Sequence, residues 1–437
     1  MARGTNGRGS LARGAALVAG AIVAALILNC RGLPDTSEQS SLMGAFERKS
    51  GKIVYMGSDA NIYVANQAGG AKQEITTDAG QSESARRIYR NPIWSPDGAR
   101  VAFEGIDSFQ DQIAGRVLTA RADGTDAKAI ATGGRIPTNL YWSPDSRTLS
   151  FLTAGAGGGG FLLLSWQPAS AAPMQILDAG RPIFWGWAPD STGVTVHAGS
   201  VRTFGRRVSF LQVGATVIET GLPLQPAEFQ TPAWSPDGSG VMLATPADGG
   251  QTDLVIVHPQ HRDRREVIAS ANGAVTFLWS PDGASVGYLT RRQEVEAIVS
   301  RLHLRDVATG DQTTLEEDGV FAFFWSPDSR SVAYFVPSVV SQHDGSADAL
   351  VLTLRVYDRE RRESVDIETF VPTPQFVAVI RVFDQYGQAA RIWSPDSRNL
   401  VYAALTETGP YIMVARAAGN LVPRKMAPGL IGFWSWQ

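Results

Sequence analysis

Three features of the sequence predict an all-β fold made of repeated units. A tryptophan-led pentad recurs seven times, at Trp94-Ser-Pro-Asp-Gly98, Trp142-Ser-Pro-Asp-Ser146, Trp187-Ala-Pro-Asp-Ser191, Trp234-Ser-Pro-Asp-Gly238, Trp279-Ser-Pro-Asp-Gly283, Trp325-Ser-Pro-Asp-Ser329 and Trp393-Ser-Pro-Asp-Ser397. A clipped eighth copy, Trp434-Ser435-Trp436, follows. Successive tryptophans are 48, 45, 47, 45, 46, 68 and 41 residues apart, and each interval holds about four short apolar runs. The 45 glycines and 24 prolines supply the turns between them. A period in the forties with four short strands is the pattern of propeller blades. The sequence therefore predicts a single β-propeller over 51–437, of four-stranded antiparallel blades. Eight tryptophan strands predict eight blades, with seven as the alternative.

The first blade-like period, 91–132, shows how each element arises. "NPIW" is a short apolar strand, "SPDG" a turn, "VAFEG" a second strand, "RVLTARADG" a third ending in a turn, and "KAIAT" a fourth. Ser at the first position, Pro at the second and Gly at the fourth suit a type I turn, and Asp hydrogen-bonds local amides. The fifth residue of the pentad is Gly in three copies and Ser in four, so Ser-Pro-Asp carries most of the turn signal. Second strands such as "LSFLT", "SVAYFV" and "LVYAAL" are rich in β-branched and aromatic residues, as strand surfaces prefer. The motif tryptophans are large enough to fill the space between adjacent blades.

The "P-x-W-S-P-D-G…V-A-F" pattern resembles the TolB-type β-propeller repeat of bacterial envelope proteins, which also occurs in propellers attached to prolyl-oligopeptidase-like hydrolases. The resemblance covers about 51–437. It implies that the tryptophan strand is innermost and that the molecule makes protein contacts within an envelope complex. In that register "KIVYMG", "NIYVAN" and "QEIT" are strands two to four of a blade lacking its inner strand, while "LIGFWSW" is an inner strand lacking followers. The C-terminal strand is thus expected to complete the N-terminal blade and close the ring, removing open edges.

The N-terminus reads as an export signal. Arg3, Arg8 and Arg13 precede a fourteen-residue apolar core, Ala15–Leu28, too short for the roughly 20 residues of a membrane span. Residues 1–30 are expected to be a signal peptide or membrane anchor, and 31–50 a flexible tether. The single cysteine, Cys30, stands directly behind the core, as the lipidated cysteine of a bacterial lipoprotein does. Asn29 departs from the small residue such signals carry there, so an uncleaved anchor and plain secretion stay open. Each of these readings places the propeller outside the cytoplasm. Formal net charge is −3, and without the three N-terminal arginines the remainder carries 36 basic against 42 acidic residues. That balance argues against nucleic-acid binding, which needs a basic footprint.

Catalytic signatures are few. The one Gly-x-Ser-x-Gly string, Gly283-Ala-Ser-Val-Gly287, begins in a motif turn and runs into a second strand, not into the helix that a nucleophile elbow needs. There is no His-Glu-x-x-His and no cysteine pair for zinc. The seven motif aspartates (Asp97, Asp145, Asp190, Asp237, Asp282, Asp328 and Asp396) could ring a metal, or each could serve its own turn; turn chemistry explains the whole pentad and is the expectation. His258 and His261 are expected to be exposed turn residues, and no cofactor is expected. The variable connections fall on the face opposite the Ser-Pro-Asp turns, where function on a rigid scaffold concentrates. Arg86, Arg87, Arg90, Arg202, Arg206, Arg207, Arg291 and Arg292 fall near that face and form the candidate anion-binding set, with a solvated surface as the alternative. The extra stretch 373–388, containing "FVAVIRVF", is expected to be an added strand covering a blade edge, or else a partner-binding element. The resulting expectation is a monomeric, non-enzymatic, membrane-tethered scaffold in the cell envelope that binds a protein or a glycan. A propeller hydrolase or lyase with its active site at the channel mouth is the alternative.

Overall fold

The computed structural model describes 51–437 except 83–84, 111, 156–158, 200–204, 228–229, 260, 294–297, 317–318 and 341–347. Cys30 and Arg202, with the whole of 1–50, lie outside the described residues. Nearly every element is a strand, and the strands pair in sequence order into small antiparallel sheets. Each sheet is named here after its motif tryptophan.

The Trp142 unit is representative. Thr138–Trp142, Leu149–Ala154, Phe161–Trp166 and Gln175–Gly180 pair side by side. The Trp187, Trp234 and Trp279 units are four-stranded in the same way, and the Trp94 unit adds the short strand Gly80–Gln81. A ten-stranded sheet joins the Trp325, Trp393 and Trp434 units. Its continuity comes from strands shared by neighbours. Arg424–Trp434 pairs through Pro428 with Tyr411, then through Ile431, Gly432, Phe433 and Trp434 with Met56, Tyr55, Val54 and Ile53. The C-terminal strand therefore lies against Lys52–Gly57, whose other neighbour is Ile62–Asn66.

The pentad folds as its residues dictate. In the first copy Gly98 N–H donates to Ser95 O at 2.9 Å, closing the turn, and Asp97 Oδ1 accepts from Ser95 Oγ at 2.6 Å and Ala99 N–H at 3.0 Å. The other six aspartates accept from the amide two residues on in the same way, at Arg147, Thr192, Ser239, Ala284, Arg330 and Arg398. The fifth residue has left-handed backbone, with φ from +59° at Ser397 to +73° at Gly238. Glycine adopts this without penalty and serine does not.

Serine is retained there because it reaches the neighbouring unit. Ser146, Ser191, Ser329 and Ser397 accept at Oγ from the amides of Asp97, Asp145, Asp282 and Asp328, each in the preceding motif, at 2.9–3.1 Å. The indoles make a second link. Nε1 of Trp94, Trp279, Trp325 and Trp393 donates to the carbonyls of Phe433, Ala233, Leu278 and Phe324, each one residue before the preceding motif tryptophan. Trp94, Trp142, Trp393 and Trp434 are among the largest fully buried side chains. Between the Trp187 and Trp234 units both links are absent: the fifth residue is Gly238, and Trp234 Nε1 has no partner among the described residues.

Candidate functional site

The 68-residue step does not add a strand. Residues 373–388 contain two helices, α1 (Pro374–Ile380) and α2 (Phe383–Tyr386), inserted between the Trp325 and Trp393 units. Thr373 caps α1, accepting at Oγ1 from Phe376 N–H, and Pro374 occupies the first turn where no amide donor is needed. This corrects the expectation of a blade-edge strand. Phe376, Val379, Ile380 and Phe383 follow the i, i+3, i+4, i+7 spacing of one helical face, and all four are buried.

The insertion fills the middle of the molecule. Phe383 packs edge-on against Phe323 and Phe324, with centroids 5.0 and 6.0 Å away. Thr373 Oγ1 donates to Leu430 O, Tyr386 OH to Asn139 Oδ1 at 2.8 Å, and Asn139 Nδ2 to Gln385 Oε1 at 2.8 Å. Val379, Tyr386 and Ala390 share a cluster with Tyr89, Trp94 and Phe433, and a Cβ on Gly387 would meet Leu278. Inner strands of the Trp94, Trp142, Trp279, Trp325 and Trp434 units all touch it. One short segment reaches so many units only by lying in the space their inner strands surround.

A buried polar network flanks the plug. Glu104 is fully buried; Oε2 accepts from Arg90 Nε at 2.6 Å and Oε1 from Asn91 Nδ2 at 3.1 Å. Desolvation raises its pKa to about 7, against the opposing pull of Arg90 and Asn91. Asn91 and Asn139 stand at the same position, three residues before their tryptophans, both with left-handed backbone (φ +50° and +54°), which asparagine tolerates better than most residues. Burial also raises the pKa of Asp384 in α2, with Arg291 and Thr231 working the other way.

On the motif face the channel opens into a cavity of about 390 Å³. Its wall is made of motif prolines such as Pro96, Pro144 and Pro236, motif indoles, and the exit of the insertion at Gly387, Gln388 and Arg391. Arg391 is stacked over Trp436, 4.1 Å from the ring centroid, and burial lowers its pKa to about 10.

On the opposite face three hairpins are long: Arg100–Phe109 with Gln112–Arg121, Ser285–Gln293 with Ile298–Asp306, and Ser331–Val340 with Ala349–Asp358. They carry exposed apolar side chains at their ends, including Phe109 (54% exposed), Ile113 (46%) and Val339 (66%). The described members of the sequence-selected arginine set lie toward this face on units that are not adjacent. Arg87 is paired with Asp78 and Asp107 at 2.5 and 2.6 Å, Arg90 with Glu104, and Arg207 with Asp178 and Glu219 at 2.6 and 2.9 Å. Arg206 Nε donates to Gln225 Oε1 at 3.3 Å, Arg86 is exposed, and Arg291 stands near Asp384. For Arg292 only the backbone is described. The structure does not gather them into one patch. Sequence reasoning missed the plug, Glu104 with its asparagines, and Arg391; only the plug had a readable signal, its helical spacing behind Thr-Pro.

His258 Nδ1 contacts Ser239 O at 3.0 Å beside the turn. Among the described residues no group of three or more His, Cys, Asp or Glu side chains is arranged to hold a metal ion.

Comparison with solved structures adds one firm result. The chain superposes on a structure described as the eukaryotic initiation factor with a TM-score of 0.52 and 15% identity, over 88% of this chain and 98% of that one. The fold is a β-propeller. The propeller domain of the Trilobed protease from Pyrococcus furiosus gives a TM-score of 0.49 at 12% identity, over 80% and 97% of the two chains. TolB from Acinetobacter baumannii gives 0.39 at 13% identity, over 78% and 84%. In sequence the chain is 24% identical over 200 residues to the uncharacterized peptidase YuxL of Bacillus subtilis (strain 168). That match covers 44% of this chain and only 28% of YuxL. No family model matches. Among the described residues of the propeller no helix is long and apolar enough to cross a membrane.

Proposed function

We propose that this propeller is a non-catalytic binding scaffold of the cell envelope, held outside the cytoplasm by its N-terminal segment, which grips a protein partner with the face opposite the Ser-Pro-Asp turns. One observation carries the reading. The long hairpins of the Trp94 and Trp325 units present Phe109, Ile113, Val339 and Val340 to solvent, while the channel between the units is filled by buried helices. Aliphatic side chains on projecting hairpins suit a protein surface; a glycan site is built from aromatic platforms and hydrogen-bonding side chains. The extracytoplasmic location rests on the charged N-terminus, the apolar core and Cys30.

The enzyme reading rests on Glu104, an acid whose pKa near 7 suits proton transfer. Both of its oxygens are already engaged by Arg90 and Asn91, so we place the binding reading first.

A photo-crosslinking amino acid at position 109 or 339, in the full chain expressed in a bacterial envelope, tests the proposal. Adducts with one defined protein from these sites, and none from position 144 on the motif face, are expected. Adducts only from position 144 contradict it. Cys30→Ser should move the protein from the membrane to the soluble fraction if the anchor is a lipid.

A further inference from the structure

The cavity on the motif face has a chemical bias independent of the partner face. Its wall is almost wholly apolar, made of proline rings and indoles, and among the described residues the only charged side chain lining it is Arg391. No ion pair among the described residues includes Arg391. Its contacts are a long 3.5 Å approach of Nη1 to Trp436 O and the stacking over the Trp436 ring. Desolvation is the sole cause of its lowered pKa, so no neighbouring carboxylate offsets the cost of burial. With a pKa of about 10 it is still a cation at neutral pH. A partly desolvated guanidinium without a counter-charge is unfavourable, and an anion supplied from outside relieves it.

The geometry narrows the anion. Arg391 Cζ lies over the Trp436 ring, and apart from the long Nη1 contact its guanidinium donors have no hydrogen-bond partner among the described residues, which leaves them to receive a carboxylate. The indole and proline wall favours an apolar body behind that group and offers little to a sugar or a polyphosphate. We propose that the motif-face cavity binds an apolar carboxylate, seating the carboxylate on Arg391 and the apolar body between the motif tryptophans and prolines. A free aryl or acyl acid and the C-terminal carboxylate of a chain ending in a large apolar residue share this chemistry.

The test titrates the full-length protein with indole-3-propionate and indole-3-propionamide, and with the peptide Ac-Ala-Ala-Phe as its free acid and as its amide, following binding by calorimetry. At least one acid should bind at least tenfold more tightly than its amide. A preference confined to the indole acid identifies a small-molecule source, and one confined to the peptide acid a chain terminus. Arg391→Gln should abolish the preference and Arg391→Lys should keep part of it, with melting curves showing that each variant is folded. Gln388→Ala, which leaves the charge in place, controls for general disturbance of the wall. Equal binding of acid and amide, no binding of either acid, or a preference that survives Arg391→Gln overturns the proposal.

Discussion

The amide of Asp282 donates to Ser329 Oγ across 3.0 Å, from one motif turn to the next. Four such links occur, and every serine at the fifth pentad position makes one. The left-handed backbone costs serine about 1 kcal/mol relative to glycine, and a net hydrogen bond contributes about as much. Glycine and serine are therefore near-equivalent for the turn, but only serine ties neighbouring units together.

Ser329→Ala should destabilise the fold by about 1–2 kcal/mol, since it keeps the backbone strain and loses the acceptor. Ser329→Gly should cost less, because it relieves the strain while losing the same bond. Chemical denaturation of the two variants checks the order. A Ser329→Ala variant as stable as the wild type would show that the link contributes nothing, and equal losses in the two variants would show that the left-handed backbone carries no strain.

The reverse substitution is available at the Trp187–Trp234 seam, which lacks both links. A Cβ on Gly238 would meet only Pro189, at 3.9 Å, and the amide of Asp190 stands in the donor's place by the repeat. Gly238→Ser should be more stable than Gly238→Ala by about 1 kcal/mol. Matching melting temperatures for the two would count against the repeat-wide rule.

The contribution of two buried carboxylates to stability should fall as pH rises from about 4.5 to about 7. Burial raises the pKa of Glu104 and of Glu368 to about 7, while the unfolded chain titrates near 4.5. Within that window the folded protein holds protons that the unfolded chain has released, so raising pH favours unfolding. Above about 7 both states are ionised and the loss levels off. Glu368→Gln, which keeps a partner for Tyr402 OH, should flatten the profile of melting temperature against pH. Buried His197 and His303, whose pKa values are lowered, act in the opposite sense in both proteins. A Glu368→Gln profile parallel to the wild-type one between pH 5 and 7 would therefore contradict the assignment of Glu368.

The repeated architecture was legible because local chemistry dictates it. Ser-Pro-Asp specifies a turn wherever it stands, and the aspartates proved to serve those turns, as at Asp97 and Asp396. The role of the fifth serine was hidden, because its partner is a backbone amide 46–69 residues away. The plug was misread for a different reason. "FVAVIRVF" is rich in β-branched residues, which favours a strand locally, but the tertiary setting supplied Phe323, Phe324 and Phe335 to bury a helical face. The pairing of Arg87 and Arg207 with acids on neighbouring strands could not be read from a linear charge count.

The plug ties the architecture to the proposed function, because it fills the channel and the proposal puts recognition on a face. Phe383→Ala should cost about 3–5 kcal/mol, as expected for emptying a fully buried aromatic site. Asn139→Ala should add a smaller loss by stranding Gln385 and Tyr386.

Hydrogen exchange at the amides of Val377, Arg381, Tyr386 and Ala390 tests this claim most directly. Each is hydrogen-bonded within the insertion, to Thr373, Val377, Val382 and Tyr386 respectively. A channel-filling plug predicts protection comparable to inner-strand amides such as that of Trp434, lost only when the fold opens. Exchange as fast as in an exposed turn, with the inner strands still protected, would show that the insertion lies outside the channel.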